Sequence, residues 1–306
     1  MSLGSSPAST VVATRSRPKR SGTGGLLAMA PFVVFMLVFG AYPLVEVVRM
    51  SVAENRIEAG HFVPSFTGIE NYLEVLADPT AWKSIWITTA FVVVTVAGTM
   101  LIGTGLALLV ERAVVLKAIA QNILIWPAVV TPVVVSVIWL LVFSPTVGGL
   151  NKLLTSIGLS GQGWLDNGLG AFMLICVVDI WHWTPIVFLF VYTALIGLDG
   201  SILEASRIDG ASEGKVIRHI VLPLLRPALA AAMLVRIIQS VKAFDEIYLL
   251  TKGGPRDSTL LLNLHIRRAF FDRLEYGYAT ALGILVVIAT LAVVAVAVYA
   301  QRRATK

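Results

Sequence analysis

Ionisable side chains interrupt two otherwise apolar stretches of this sequence. Asp179 and His182 lie in one stretch, and Arg236 and Lys242 lie in the next. In a membrane helix such charges cost about 3 kcal/mol or more, so they usually bind a solute, relay protons or pair with one another. At a rise of about 1.5 Å per residue, Asp179 falls at a depth between Arg236 and Lys242, which permits an ion pair. Two interpretations stay open: these groups bind a polar solute, or they neutralise each other within a helix bundle.

The sequence lacks the residues that other common site chemistries need. One cysteine, Cys176, excludes a disulfide within the chain and a cysteine-built metal site. The histidines at positions 61, 182, 219 and 265 are too scattered to form a cluster by spacing. Residues 210–216 come nearest to a phosphate-binding loop, but they are one residue too short and lack its Ser/Thr magnesium ligand. We therefore expect no catalytic, cofactor-binding or metal-binding residue in this chain.

The composition identifies the class of protein. Hydrophobic residues make up 57% of the chain and charged residues 14%, whereas an average soluble domain has about 25% charged residues. So few polar side chains cannot cover a globular surface, and we expect an integral protein of a lipid bilayer. In such a protein a net charge of +6 is typical of basic cytoplasmic loops and does not indicate nucleic-acid binding.

The hydropathy pattern predicts an all-α polytopic fold with six transmembrane helices. A bilayer core needs about 20 apolar residues in helical form, and four stretches meet this without a charge, while two more are interrupted by charges. Residues 1–25 are rich in Ser, Thr and Arg and are predicted to be a disordered cytoplasmic tail. We interpret the following apolar run as a retained span, because it exceeds a signal-peptide core in length. The predicted spans are 26–50, 84–110, 118–143, 170–197, 223–249 and 276–301.

The distribution of basic residues predicts that both termini lie in the cytoplasm. With six spans, thirteen Lys and Arg residues fall on the cytoplasmic side and eight on the outer side, as the positive-inside tendency requires. Residues 252–273 are the exception, because five basic residues lie there on the outer side.

Prolines predict irregular helices at two places. Pro127 and Pro132 lie inside the third predicted span, and Pro185 lies inside the fourth. Each removes a backbone donor and clashes with the preceding turn. Kinks that serve packing and kinks that line a path across the membrane both fit this pattern.

The cytoplasmic segment 199–222 predicts two short helices joined at a glycine. Ser201 and Glu204 have the spacing of a capping box, and Gly210 allows a turn that a bulkier residue would resist. A second helix through Val216 leads to the fifth span. Such an ordered, partly apolar loop indicates a docking surface.

The same segment carries a family resemblance. Glu204-Ala205-Ser206, then Gly210, then Ile220-x-Leu222-Pro223 resembles the "EAA…G…I-x-LP" loop of permease subunits in binding-protein-dependent ABC importers. Ser206 replaces the second alanine of that pattern. Four further stretches resemble the maltose and glycerol-phosphate branch of carbohydrate importers, and the resemblance covers about 26–303. They are residues 68–72, 179–185, 244–255 and 277–279.

The resemblance implies two groups of site residues. The loop would be the coupling helix that docks on a separate ATPase, and a second set would line the substrate pathway. The ATPase-coupling residues are Glu204, Ala205, Ser206, Asp209, Gly210 and Ala211. The substrate-pathway residues are Asp179, His182, Trp183, Ile186, Arg236, Ser240 and Lys242.

The resemblance also implies the assembly. The chain would be a multi-pass subunit of the bacterial cytoplasmic membrane, not an enzyme itself, in an importer for a sugar or sugar-like solute. Its partners would be a second homologous permease, an extracytoplasmic solute-binding protein and two ATPase subunits that bind ATP and magnesium. A permease for phosphorylated or sulfonated sugars or polyols is the nearest alternative. An ion-coupled secondary transporter would usually show inverted repeats, which the sequence does not show, and a membrane enzyme would need a catalytic constellation that the spans lack.

Overall fold

The computed structural model of the chain describes most of its residues. Its described residues divide into two units between Val47 and Val48. The predicted N-terminal tail falls almost wholly outside the described residues. The described ranges are 22–58, 61–112 and 117–304.

The described chain begins with a long apolar helix. Helix α1 (Gly22–Met36) continues through a π-helical turn into α2 (Tyr42–Ser51), and residues 29–51 are long and apolar enough to cross a bilayer. A hairpin that the sequence did not predict follows, with β1 (Ala53–Glu58) antiparallel to β2 (His61–Phe66).

Helices make up nearly all of the remaining chain, and three of them are long. The shorter helices cap the long ones or join them. In chain order the α-helices, long and short, are α3 (Glu70–Ala77), α4 (Pro79–Arg112), α5 (Lys117–Val129), α6 (Pro132–Val142), α7 (Gly149–Ser156), α8 (Gly168–Ile196), α9 (Gly200–Ile208), α10 (Glu213–Val216), α11 (Leu222–Leu224), α12 (Arg226–Val241), α13 (Asp245–Leu250), α14 (Leu262–Arg267) and α15 (Tyr276–Ala304).

The predicted all-α polytopic fold is confirmed. Four described helices are long and apolar enough to span a membrane: the α1–α2 helix, α4, α8 and α15. Two bent helix pairs raise the number to six if each pair is one span. The six-span count and the orientation of the chain stay predictions.

The third predicted span is not one straight helix. Helices α5 and α6 meet at an angle of 100°. Pro132 is the first residue of α6, and the residue before it, Thr131, is extended with φ −69° and ψ 147°. A proline disfavours helical geometry in the preceding residue, so the chain turns sharply here.

The fifth predicted span, 223–249, is not one continuous helix either. The helix that begins at Glu213 bends by 67° before α12, which ends at Val241. Pro227, in the first turn of α12, cannot donate a hydrogen bond back across the bend. Helix α13 is separate, because Phe244 leaves helical geometry with φ −146°. Polar side chains therefore lie at breaks in the helix.

Helices α4 and α8 pack closely along their length. A Cβ atom on Gly103 would lie 2.8 Å from Val187 Cβ, and one on Gly98 would lie 2.4 Å from Ile180 Cδ1. Small residues let membrane helices approach closely in this way. Helix α8 is the most buried span, and its inner face carries the candidate polar residues.

The predicted capping box before α9 is wrong. Ser201 lies inside α9, and its backbone N–H donates to Asp199 Oδ1 at 2.9 Å. Asp199 therefore satisfies a free amide at the helix start, the usual task of an N-terminal cap. Hydrogen bonds from the backbone and the side chain of Ser201 lower the pKa of Asp199. The helix begins two residues earlier than the Ser–Glu spacing suggested, because an aspartate precedes it.

Candidate functional site

A buried ion pair joins α8 to α12. Arg236 Nη2 lies 2.5 Å from Asp179 Oδ1, and both side chains are at most 1% exposed. The same guanidinium donates to Ser240 Oγ at 2.9 Å and to Thr99 Oγ1 at 3.2 Å. Asp179 Oδ2 has no hydrogen-bond partner among the described residues. Of the two basic residues that could pair with Asp179, the structure selects Arg236 and leaves Lys242 exposed.

A second buried pair lies beside the break in the third span. His182 Nδ1 bonds to Glu246 Oε1 of α13, and His182 Nε2 lies 3.1 Å from the carbonyl oxygen of Val130. A carbonyl oxygen only accepts, so Nε2 carries a hydrogen and donates it. The sharp turn between α5 and α6 frees this carbonyl from helical bonding, and His182 satisfies it. His182 thus ties α8 to α13 and to the bend.

A cavity of about 220 Å³ lies next to these pairs. Trp183 of α8 lines one side of it, and the guanidinium carbon of Arg236 lies 5.8 Å from the centre of the Trp183 ring. Gln239, Lys242 and Glu246 supply polar groups to the lining, and Pro132 at the bend completes the wall.

The structure therefore divides the predicted substrate-pathway residues. Trp183 and Lys242 line the cavity. Asp179, His182, Arg236 and Ser240 are buried behind it, and Ile186 is half-buried away from its lining.

Sequence reasoning missed Glu246, Gln239 and the hydroxyls of α4. Glu246 is visible as a charge within an apolar stretch, but the sequence does not show that this stretch is broken into separate helices. Thr95 Oγ1 lies 3.0 Å from Ser240 Oγ. A threonine in an apolar helix gives no signal of its own, because its hydroxyl usually bonds to the carbonyl four residues back. Thr95 does so too, to Phe91 O at 2.8 Å.

The predicted coupling residues lie together in the segment 199–222, around the turn after α9. Gly210 has φ +77°, and the Ala211 N–H donates to Ser206 O at 3.1 Å. This is the bonding pattern by which a glycine in the left-handed region ends a helix. Ile208 is 85% exposed although it is a large apolar side chain.

The remaining coupling residues differ in exposure. Glu204, Ala205, Asp209 and Gly210 are exposed, Ala211 is half-buried, and Ser206 is buried. Ser206 Oγ donates to Leu203 O at 2.7 Å, within α9. Behind the turn, Arg112 at the end of α4 pairs with Glu213 of α10 at 2.6 Å.

The match to a family decides what these sites belong to. Residues 99–306 match the family model described as "Binding-protein-dependent transport system inner membrane component". The chain belongs to this family of permeases. The matched region contains the coupling segment and both buried pairs.

Related permeases align over almost the whole chain. The trehalose/maltose transport system permease protein MalF of Thermococcus litoralis is 30% identical over 87% of this chain and 90% of its own length. The sulfoquinovosyl glycerol transport system permease protein SmoG of Agrobacterium fabrum is 29% identical, over 89% of this chain and 88% of its own. A crystal structure of a bacterial alginate ABC transporter, in complex with an alginate pentasaccharide-bound periplasmic protein, has the same fold. Its TM-score is 0.81 at 21% identity, over 93% of this permease and 96% of the matched chain.

Proposed function

We propose that this permease carries a sugar or a sugar-like solute and forms one wall of its pathway. The observation that carries this proposal is the cavity in which Trp183 lies beside Gln239 and Lys242. A sugar offers C–H faces that stack on an aromatic ring and hydroxyl groups that bond to polar side chains. The relative named for trehalose/maltose transport supports a neutral sugar, and the relative named for sulfoquinovosyl glycerol transport supports a sulfonated one.

The site is proposed to be completed by a second, homologous permease. Ligand pockets usually measure about 300–1,000 Å³, and the cavity of about 220 Å³ falls below that range. Two ATPase subunits would supply the energy and bind ATP and magnesium, because the sequence contains no phosphate-binding loop. The permease would lie in the bacterial cytoplasmic membrane. An extracytoplasmic binding protein would deliver the solute to it. The alginate transporter, crystallised with a periplasmic protein, supports that partner.

In this proposal the segment from Glu204 to Ala211 couples the permease to the ATPase. The exposed Ile208, with the exposed Glu204 and Asp209, would dock in the ATPase. Closure of the ATPases would move this segment, and α8, which precedes α9 by three residues, would move with it. The pathway would then open outward to receive solute.

A second candidate solute is a phosphorylated or sulfonated sugar or polyol. Lys242 favours it, because its exposed cation lies in the lining of the cavity. Asp245 and Glu246 lie in the same lining, and these carboxylates would repel an anion. The charges of the lining therefore favour a neutral solute.

Substitution of the aromatic wall tests the proposal. Trp183→Ala should lower uptake and solute-stimulated ATP turnover per assembled complex by about two- to tenfold, because a stacking contact contributes about 0.5–1.5 kcal/mol beyond its area and about 1.4 kcal/mol corresponds to tenfold. Trp86→Ala is the matched control, since Trp86 is 72% exposed on α4 and lines no part of the cavity.

Two results would contradict the proposal. Unchanged turnover in Trp183→Ala would remove the cavity from the pathway. Uptake into proteoliposomes that runs on an ion gradient without ATP would instead assign the chain to secondary transport.

A further inference from the structure

An unusual number of positive charges lies between α13 and α15. Residues 252–273 contain five basic residues on the side predicted to face outward, where permeases usually have few. Lys252 and Arg256 are both exposed, and in the described part of the chain neither has an ion-pair partner. The other three are paired: Arg267 with Asp272 at 2.9 Å, Arg268 with Asp257 at 2.6 Å, and Arg273 with Glu275 at 3.1 Å.

The backbone that carries these two cations is held in an uncommon conformation. Lys252 and Arg256 both have φ +51°, and Asp257, the residue after Arg256, has φ +58°. Few non-glycine residues adopt the left-handed region, and they stay there only when the surrounding structure holds them. Here Arg268 donates to Lys252 O at 2.6 Å, and Lys83 of α4 donates to Arg256 O at 2.9 Å.

The base of the loop is fixed as well. Thr259 is fully buried, and its hydroxyl donates to Gly254 O at 2.8 Å and lies 2.7 Å from Thr251 Oγ1. The carbonyl oxygens of Lys252, Gly254 and Arg256 therefore all accept hydrogen bonds from other residues of the protein. The two cationic side chains extend from a braced turn, and ordering this turn against a partner would cost little entropy.

We propose that Lys252 and Arg256 form a docking site for an acidic surface of the extracytoplasmic binding protein. The inference rests on the proposed function, because only an importer of this kind has such a partner. Complementary charges mainly accelerate encounter and set the orientation of two proteins. The two cations would thus place the binding protein over the entrance of the pathway.

A lipid surface is the less suitable partner for this loop. Residues 251–259 read TKGGPRDST and contain no large apolar or aromatic side chain. Segments that lie on a membrane combine cations with Trp, Phe or Leu that insert between the lipids. A loop that offers charge without an apolar anchor suits a protein surface.

The test measures association of the two proteins. The probe is the labelled binding protein that stimulates ATP turnover of the wild-type complex in nanodiscs. The double variant Lys252→Glu/Arg256→Glu should lower its association rate about tenfold or more at low salt. The difference should vanish near 1 M salt, where the screening length is about 3 Å. Lys152→Glu is the matched control, an exposed cation on α7 without an ion-pair partner in the described chain, and it should stay within about twofold of wild type.

Three results would overturn the inference. The association rate of the double variant could equal that of wild type, or Lys152→Glu could slow association equally, which would indicate general attraction to the outer face. A change seen only in nanodiscs with anionic lipid would assign the cations to head groups. Each leaves the proposed function standing, whereas failure of any binding protein to stimulate the wild-type complex would remove that function itself.

Discussion

Replacing either member of the Asp179–Arg236 pair should destabilise the assembled permease. Arg236→Met would leave the Asp179 carboxylate 1% exposed with no cation, and Oδ2 already lacks a partner among the described residues. Asp179→Asn would keep one acceptor for Arg236 but leave its charge uncompensated, and the new amide NH₂ would replace an unpaired oxygen. We expect the arginine variant to be the more damaging of the two.

The magnitude follows from burial. Removing one partner of a buried ion pair costs about 3–5 kcal/mol, whereas replacing both partners by apolar groups of similar volume is often neutral or stabilising. Arg236 is 0% exposed, so the upper part of this range applies to Arg236→Met. In Asp179→Asn, Arg236 keeps its bonds to Ser240 and Thr99, and the lower part applies. The double variant Asp179→Leu/Arg236→Met should recover most of the loss.

The assay separates packing from solute binding. Thermal unfolding and the yield of assembled complex measure stability, and ATP turnover per complex measures transport coupling. We expect the single variants to lose yield and the double variant to regain it. If Asp179→Asn assembled like wild type while the apparent solute affinity shifted, the pair would be a ligand site and the reasoning from burial would be refuted.

Three further predictions concern coupling, topology and pH. Gly210→Val should abolish uptake while the chain still inserts, because φ +77° is strained for a β-branched residue; pull-down with the ATPase measures docking, and normal uptake would remove the coupling role. The topology is tested with single cysteines in a Cys176-free background, at the exposed positions Ser212 and Asp272. An impermeant thiol reagent should label the cysteine at position 212 only from the cytoplasm and the one at position 272 only from outside. Labelling of both from one side would contradict the six-span topology. His265 has a lowered pKa because of burial and then of Arg273, so neutral histidine stabilises the fold above about pH 6.5 and this contribution is lost as pH falls through the lowered pKa. The melting temperature of wild type should therefore fall below that pH more steeply than that of His265→Gln, and parallel curves would disprove the assignment.

The sequence predicts the long helices and the turn at Gly210 well. Helix α8 (Gly168–Ile196) differs from the predicted span 170–197 by only a few residues, because its apolar run is bounded by Asn167 and Gly197. Gly210 was predicted to allow a turn, and its positive φ confirms this. Both features depend on local residue types, which sequence patterns express directly.

Features that depend on tertiary contacts could not be predicted in this way. The choice of Arg236 over Lys242 as partner of Asp179 depends on which face of α12 packs against α8, and the hydropathy pattern does not show that face. His182 finds Val130 because the third span turns by 100°. The prolines indicated a break there, but a break does not define an angle.

Close packing of α4 against α8 limits how the permease can change shape. Side chains of α8 fill the positions that Gly98 and Gly103 leave open, so the two helices cannot slide past each other without steric overlap. We expect the two helices to tilt together as one rigid unit. The chain would then deform at the bends at Thr131 and Leu225. Asp179 lies about 26 Å along α8 from Ile196 at the usual rise. Each degree of tilt about the Ile196 end of α8 then shifts the buried Asp179–Arg236 layer by about 0.45 Å over that length, so a tilt of a few degrees moves this layer by more than about 1 Å.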